Sequence, residues 1–292
     1  MICGFLALDK PAGPTSHDCV AKVRRAYRLK RVGHGGTLDP AVTGVLPIAL
    51  GPATRLLPYL LGDKAYQAVV QLGLRTTTDD LQGAVVSRQA TPVSLGQGDI
   101  EAALDRFRGS IQQCPPAFSA VHVQGKRAYA LAREGQAVVL APRSVTLHRL
   151  DLLRWDPEHG QLELAVECTA GTYIRSLARD LGDALGCGAA LASLRRTAAL
   201  GFDLHQCLSM DDLCDPLPPL INPLTVFSHL PHHHLTPEEW GAWRCGRALM
   251  APQPWPIDAT VLMVDPDGKL AGLAKMQGSG ALQPRFVVDA RG

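Results

Sequence analysis

The chain has 292 residues, 46 % of them hydrophobic and 19 % charged, enough for one large domain with a smaller one attached. Its formal net charge of +2 is too small to imply a nucleic-acid partner by itself. No apolar run is long enough to cross a bilayer, the N-terminal apolar stretch lacks the basic flank of a signal peptide, and the eight cysteines contain no C-x-x-C pair. Membrane, secreted, zinc-ribbon and thioredoxin-like classes therefore drop out, and a cytoplasmic protein with reduced, mostly buried thiols is expected.

Residues 2–8 form a short apolar run that ends at Asp9-Lys10-Pro11-Ala12-Gly13-Pro14, which predicts a buried strand and a turn. Ser16 is placed to cap a helix with Val20 and Val23 on its inner face. Lys22, Arg24, Arg25, Arg28, Lys30 and Arg31 follow with no acid among them. Such a patch suits either a polyanion partner or a solvated helix face, and charge alone favours the second. Gly33-His34-Gly35-Gly36 predicts a loop, and 64–73 a strand by its β-branched content. Asp99 is placed to cap a helix over 100–108, with Ile100, Ala103, Leu104 and Phe107 on one face. Residues 111–145 read as a basic insertion outside the core. It is opened by Pro115-Pro116, with a turn at Gln124-Gly125-Lys126-Arg127 and a short helix at Ala128–Arg133. Residues 161–169 alternate as a half-buried strand does, and 172–185 fit an amphipathic helix. Pro216, Pro218, Pro219, Pro223 and Pro231 mark a domain boundary within 215–235. A helix at 236–243 and strands such as 260–264 and 269–274 then predict a compact barrel. Periodicity alone supports mixed α and β structure and no more.

The most informative stretch runs from Arg31 to Pro40 and on through Thr43-Gly44-Val45-Leu46-Pro47. Gly33, Gly35 and Gly36 let this backbone approach another polymer closely. Pro40 biases Asp39 towards an extended conformation, so one carboxylate and one imidazole share a constrained setting. A P-loop is excluded because no G-K-[ST] follows, and the glycine spacing does not suit a dinucleotide fold. Taken alone, an Asp-Pro pair is more often a turn former than a catalytic group.

The run GHGGTLDPAVTGVLPIALGPATR resembles the catalytic signature of the TruB family of tRNA pseudouridine synthases. LALDKPAGPTSHDCVAKVRR is similar to that family's N-terminal segment, and Lys64-Ala65-Tyr66 to its K-x-Y motif. Arg75-Thr76-Thr77-Thr78-Asp79-Asp80-Leu81-Gln82-Gly83 resembles its T-x-T-x-D-x-x-G motif, although Thr77 stands where relatives often carry an acid. Gly171-Thr172-Tyr173-Ile174-Arg175, Gly186-Cys187-Gly188-Ala189 and Ser193-Leu194-Arg195-Arg196 follow in the family's order, so the resemblance covers nearly all of 1–203.

The resemblance implies an α+β fold: a pseudouridine-synthase catalytic domain over 1–222 with a central, mostly antiparallel sheet, then a small β-rich PUA-like domain over 223–292. It implies an isomerisation in which the uracil N1–C1′ bond breaks, the base rotates and C5 rejoins the sugar, with no cofactor and no metal. Asp39 is the catalytic match, either as a nucleophile at C1′ or by drawing a proton from the sugar to give a glycal. Tyr66 would stack on the flipped uracil, a contact worth about 1–3 kcal/mol. Tyr173 and Arg175, two apart, would face the same way on an extended segment, with Arg175 pairing with Asp39 and favouring its ionised form. Leu194 would close an apolar wall, and His34 would fill the gap left by the flipped nucleotide. Without the family, Tyr66 and Leu194 read as core residues, His34 as a loop histidine and Arg175 as an exposed strand-end residue.

The segment 111–145 resembles the family's thumb. Lys126, Arg127, Arg133 and Arg143, with Arg24 and Arg31, would then meet phosphates. The implied partner is the T-arm of tRNA, modified at position 55 by a monomer without a guide RNA or a membrane. A non-catalytic tRNA-binding or folding module on the same scaffold is the alternative. An N-glycosidase usually needs two carboxylates flanking the bond, and no second candidate acid stands out in the matched motifs. His232-His233-His234 with Cys245 fits no metal spacing and predicts a solvated loop.

Overall fold

The computed structural model describes residues 2–290 except Val93, Ala120, Gln124, Ala137 and Val139. The expected turn at 124–127 begins on Gln124, outside the described residues.

The first half of the chain lays down β1 (Gly4–Lys10), α1 (Ser16–Ala26), β2 (Val32–His34), β3 (Thr43–Leu50), β4 (Lys64–Leu72), β5 (Leu74–Thr76), β6 (Val85–Arg88), α2 (Gln97–Asp105) and β7 (Gly109–Gln113). Next come β8 (His122–Val123), β9 (Lys126–Arg127), α3 (Ala128–Arg133), β10 (Arg143–Asp156), β11 (Gln161–Cys168), α4 (Ile174–Ala184), β12 (Ala189–Ala199), β13 (Phe202–Asp203) and β14 (Cys207–Leu208). The last part holds α5 (Pro223–Val226), β15 (His232–His234), α6 (Pro237–Arg244), β16 (Leu249–Met250), β17 (Thr260–Val264), β18 (Leu270–Met276) and β19 (Ala281–Val287).

The main sheet runs in the order β14-β1-β3-β12-β4-β11-β10-β7, with β2 on β3 and β13 on β12. Its pairs are antiparallel except β1–β14 and β12–β3. Strand β4 shows why it lies centrally: Tyr66, Ala68, Val70 and Leu72 alternate inward. They meet Leu162, Leu164 and Val166 of β11, Ile100 and Leu104 of α2, and Ile174, Leu177 and Leu181 of α4 in one core. The continuous apolar run of β1 has a different cause, because that strand is covered on both faces. Phe5 and Ala7 enter a core with Phe202, Phe227, Leu262 and Phe286, while Leu6 and Leu8 enter another with Cys19, Val20 and Val23 of α1. The small second sheet, in the order β15-β17-β18-β19-β16, thus shares a core with the large one. Trp243 of α6 lies beneath it, fully buried, and donates Nε1–H to the Ala271 carbonyl at 3.0 Å.

Several local expectations change. Thr15, not Ser16, caps α1, with its side chain paired to Asp18 across the first turn. Residues 32–34 pair with β3 as a strand, because Gly33 has no side chain to obstruct the packing of Leu57. Helix α2 is capped at Gly96, three residues before Asp99; Asp99 lies inside its first turn and accepts the Gly96 N–H at 2.9 Å. Residues 111–113 and 143–145 belong to β7 and β10, paired with each other, so the excursion from the sheet spans 114–142. The three histidines at 232–234 form β15 rather than a solvated loop, with His233 buried against Glu239. The edge strands β15 and β16 are not paired with each other among the described residues, so the C-terminal module is an open sheet rather than a closed barrel. All eight cysteines are free, and only Cys19, Cys168 and Cys187 are buried; Cys114, Cys214 and Cys245 are exposed. Among the described residues no helix is long and apolar enough to cross a membrane, and no group of three or more His, Cys, Asp or Glu residues is arranged to hold a metal ion.

Candidate active site

The loop after β2, the start of β4, the start of α4 and the middle of β12 converge on one cleft of about 300 Å³. Asp39, Tyr66, Tyr173, Arg175 and Leu194 line it together. These five positions are spread over more than 150 residues of sequence, and the sheet order brings them together. Leu194 and Arg196 of β12 stand directly opposite Ala68 and Tyr66 of β4.

Asp39 sits on a turn closed by the Val42 N–H on its own carbonyl at 3.0 Å, with its side chain 47 % exposed. Two buried groups hold this turn from below. Ser16 accepts the Leu38 N–H at 2.9 Å and donates to the Leu38 carbonyl at 3.1 Å, tying the turn to α1. Lys10 is fully buried, and its ammonium donates to the carbonyls of Pro11, Pro40 and Val42 at 2.9, 3.0 and 2.8 Å. The ammonium therefore grips the main chain on the C-terminal side of Asp39, and burial pulls its pKa down. Replacing Lys10 by methionine should remove the ammonium from the Pro11 and Val42 carbonyls and leave Pro40 with the Gly13 N–H at 2.9 Å. About 2–4 kcal/mol of stability should be lost in denaturant unfolding, and activity should fall roughly ten- to a hundred-fold as the carboxylate loses its seat.

Arg175 does not lie on an extended segment. It is the second residue of α4, with Tyr173 at the N-cap, and its guanidinium is buried. It pairs with Asp39 Oδ2 at 3.1 Å and approaches Asp80 Oδ2 at 3.7 Å, while donating to the carbonyls of Thr78 at 3.1 Å and Phe118 at 2.9 Å. Tyr173 is set by its backbone: the buried Gln113 amide accepts its N–H at 2.8 Å and donates to its carbonyl at 3.1 Å. Tyr66 is nearly buried, and burial pushes its hydroxyl pKa up to about 12, so the phenol stays protonated. The Arg196 side chain lies against that hydroxyl, and Arg196 itself is fully buried, donating Nε to the Val45 carbonyl at 2.7 Å and Nη2 to the Gly36 carbonyl at 3.1 Å. Gly44, paired with Arg196 across β3 and β12, is at φ 104°, and any Cβ there would collide with the Arg196 carbonyl.

His34 is outside the lining of the cleft. Its ring packs edge-on against His17 at 5.5 Å, and its Nδ1 is buried with no hydrogen-bond partner among the described residues. Burial, then the charges of His17 and Arg196, lower its pKa and favour a neutral imidazole. Arg24 and Arg31 are exposed near α1; Lys126, Arg127, Arg133 and Arg143 are exposed on the excursion and at its root, with Arg133 over the Tyr129 ring at 5.5 Å.

Sequence reasoning left four participants without a role: Lys10, Gln113, Asp80 and Arg196. Three of them lay inside quoted motifs, but their partners are backbone carbonyls or a distant guanidinium, which spacing does not reveal. Asp80 also bears on the glycosidase reading. It is a second carboxylate, but it stands behind Arg175 and outside the cleft lining, held by the Thr78 hydroxyl at 2.6 Å and the Gln82 N–H at 3.0 Å. A larger cleft of about 770 Å³, lined by Cys3, Asn222, Trp240, Arg244 and Asp265 among others, contains none of the motif residues.

Three family models match the chain in succession. They are the TruB family pseudouridylate synthase N-terminal domain over 24–174, the tRNA pseudouridylate synthase B C-terminal domain over 175–218, and the pseudouridine synthase II TruB C-terminal region over 231–288. A protein of Parasynechococcus marenigrum (strain WH8102) named tRNA pseudouridine synthase B is 58 % identical, covering 99 % of this chain and 98 % of its own length. One of the same name from Synechococcus sp. (strain WH7803) is 53 % identical over the same shares. Among solved structures, a chain in an H/ACA RNP bound to a substrate RNA containing 2'-deoxyuridine superposes with a TM-score of 0.70 at 26 % identity. That match covers 98 % of this chain and 84 % of the other. A chain of a Cbf5-Nop10-Gar1 complex gives a TM-score of 0.70 at 27 % identity, covering 99 % and 85 %.

Proposed function

The chain belongs to the TruB family of pseudouridylate synthases, and from that premise we propose that it isomerises uridine to pseudouridine at position 55 in the T-loop of tRNA. The observation that carries the proposal is the convergence of Asp39, Tyr66, Tyr173, Arg175 and Leu194 on one cleft with the Arg175–Asp39 pair formed. In this reading Asp39 acts at the sugar, as nucleophile or as base. Arg175 fixes one carboxylate oxygen, leaving the other for the substrate. Tyr66 offers its ring face to the uracil and keeps its proton. Tyr173 and Leu194 exclude water from the base. His34, as a neutral imidazole beside the entrance loop, takes the place vacated in the RNA stack.

The same reading divides the chain into a catalytic domain over 1–222 and an RNA-contacting PUA-like module over 223–292. The excursion at 114–142 serves as the thumb, and Lys126, Arg127, Arg133, Arg143, Arg24 and Arg31 meet phosphates. A monomer acting in the cytoplasm on tRNA without a guide RNA completes it. Its support is the full-length match to relatives named for a tRNA substrate. An unmodified tRNA transcript treated with the protein alone and mapped by carbodiimide primer extension tests it. A single new stop at position 55 is expected; a stop elsewhere would move the substrate assignment.

A further inference from the structure

Two cations beside the cleft are paired with no acid among the described residues. Arg196 is fully buried; it donates to the Val45 and Gly36 carbonyls and lies against the Tyr66 hydroxyl, all neutral groups that leave its charge without an anion. Lys64 starts β4 on the same face as Tyr66 and lines the cleft, yet it makes no hydrogen bond or ion pair among the described residues. The neighbouring Asp63 is engaged elsewhere, with His148 at 3.0 Å. Lys64 Nζ and Arg196 Nη1 lie 3.3 and 3.6 Å from the point where a Cβ on Gly36 would stand. Gly36, at φ 103°, carries no side chain there, so both cations pack closely over its backbone. Burial and then the charge of Arg196 pull the Lys64 pKa down.

A cleft-lining cation paired with no carboxylate among the described residues, backed by a second buried cation, matches a phosphodiester, which is compact, singly charged and rich in acceptor oxygens. We propose that Lys64, with the buried charge of Arg196 behind it over Gly36, seats one backbone phosphate flanking the uridine that enters the cleft. The proposal rests on the reading of that cleft as a uridine site. The seat fixes the strand at the point where the nucleotide leaves its stack, so its charge acts on the reacting nucleotide rather than on the remote stem.

The test uses a T-arm stem-loop carrying a single neutral methylphosphonate at the linkage on either side of the target uridine. Turnover is compared for the wild type, Lys64→Met and Lys64→Arg. With the wild type, one of the two linkages should lower kcat/KM roughly ten-fold or more. Lys64→Met should lose a similar factor on the native stem-loop and lose almost nothing further at that same linkage, while Lys64→Arg should recover most of the activity. Equal losses for wild type and Lys64→Met at both linkages, or no loss at either, would overturn the seat while leaving the uridine reading intact. A wild type inactive on the unsubstituted stem-loop would overturn both.

Discussion

Arg175→Met should cost about 3–5 kcal/mol of stability in denaturant unfolding and at least two to three orders of magnitude in activity. The guanidinium is buried and serves four acceptors at once: the Asp39 and Asp80 carboxylates and the Thr78 and Phe118 carbonyls. Removing it strands a partly buried Asp80 and two main-chain carbonyls, and frees Asp39 to swing towards solvent. Arg175→Lys should recover little, since an ammonium is a point charge without the fork that spans acceptors on opposite sides. The Phe118 contact adds a structural consequence. It ties the first turn of α4 to the root of the 114–142 excursion, where the Cys114 carbonyl also accepts the Ser176 hydroxyl at 2.8 Å and Arg179 Nη2 at 3.0 Å. Loss of Arg175 should therefore loosen that root, measurable as faster amide hydrogen exchange over 114–119. Unchanged exchange with lost activity would mean that Arg175 acts on Asp39 alone.

Asp39→Asn should behave differently. The side chain is half exposed and Arg175, its ion-pair partner, keeps Asp80, so folding stability should change by less than about 1 kcal/mol. Pseudouridine formation, read by nucleoside analysis of digested tRNA, should fall by roughly 10⁴-fold or more, since an amide is neither nucleophile nor base. Filter binding of tRNA should stay within a few-fold. The two variants separate the roles: one group performs the chemistry, the other holds it and the surrounding fold. Collapse of tRNA binding in Asp39→Asn would make Asp39 a structural residue instead.

Where one face of an element is buried and the other is not, periodicity located it well. Strands at 64–72 and 161–168 and the helix at 128–133 fall where the pattern put them. Failures came where a tertiary partner overrode local preference. Gly33 and His34 became a strand because β3 offered a free edge, and His232–His234 because β17 did. The apolar run of β1 gave no sign that it separates two cores. In the site, chemistry-bearing side chains stood out through the family's motifs. The groups that position them did not, because Lys10 and Arg196 act through carbonyls of residues 30 and 160 positions away. The helical setting of Arg175 was also hidden, since a two-residue spacing suits a strand and a helix N-terminus equally.

The central claim is that this chain breaks and remakes the glycosidic bond of one uridine without releasing the base. The most direct measurement uses tRNA transcript labelled with tritium at uridine C5, with the protein as the only addition, and counts tritium in water and free uracil together. Rejoining through C5 displaces that hydrogen, so the account predicts about one equivalent of tritium per tRNA and no free uracil. Labelled uracil in the supernatant would reveal a glycosidase. No tritium release from tRNA that the protein binds tightly would reduce the fold to an RNA-binding scaffold.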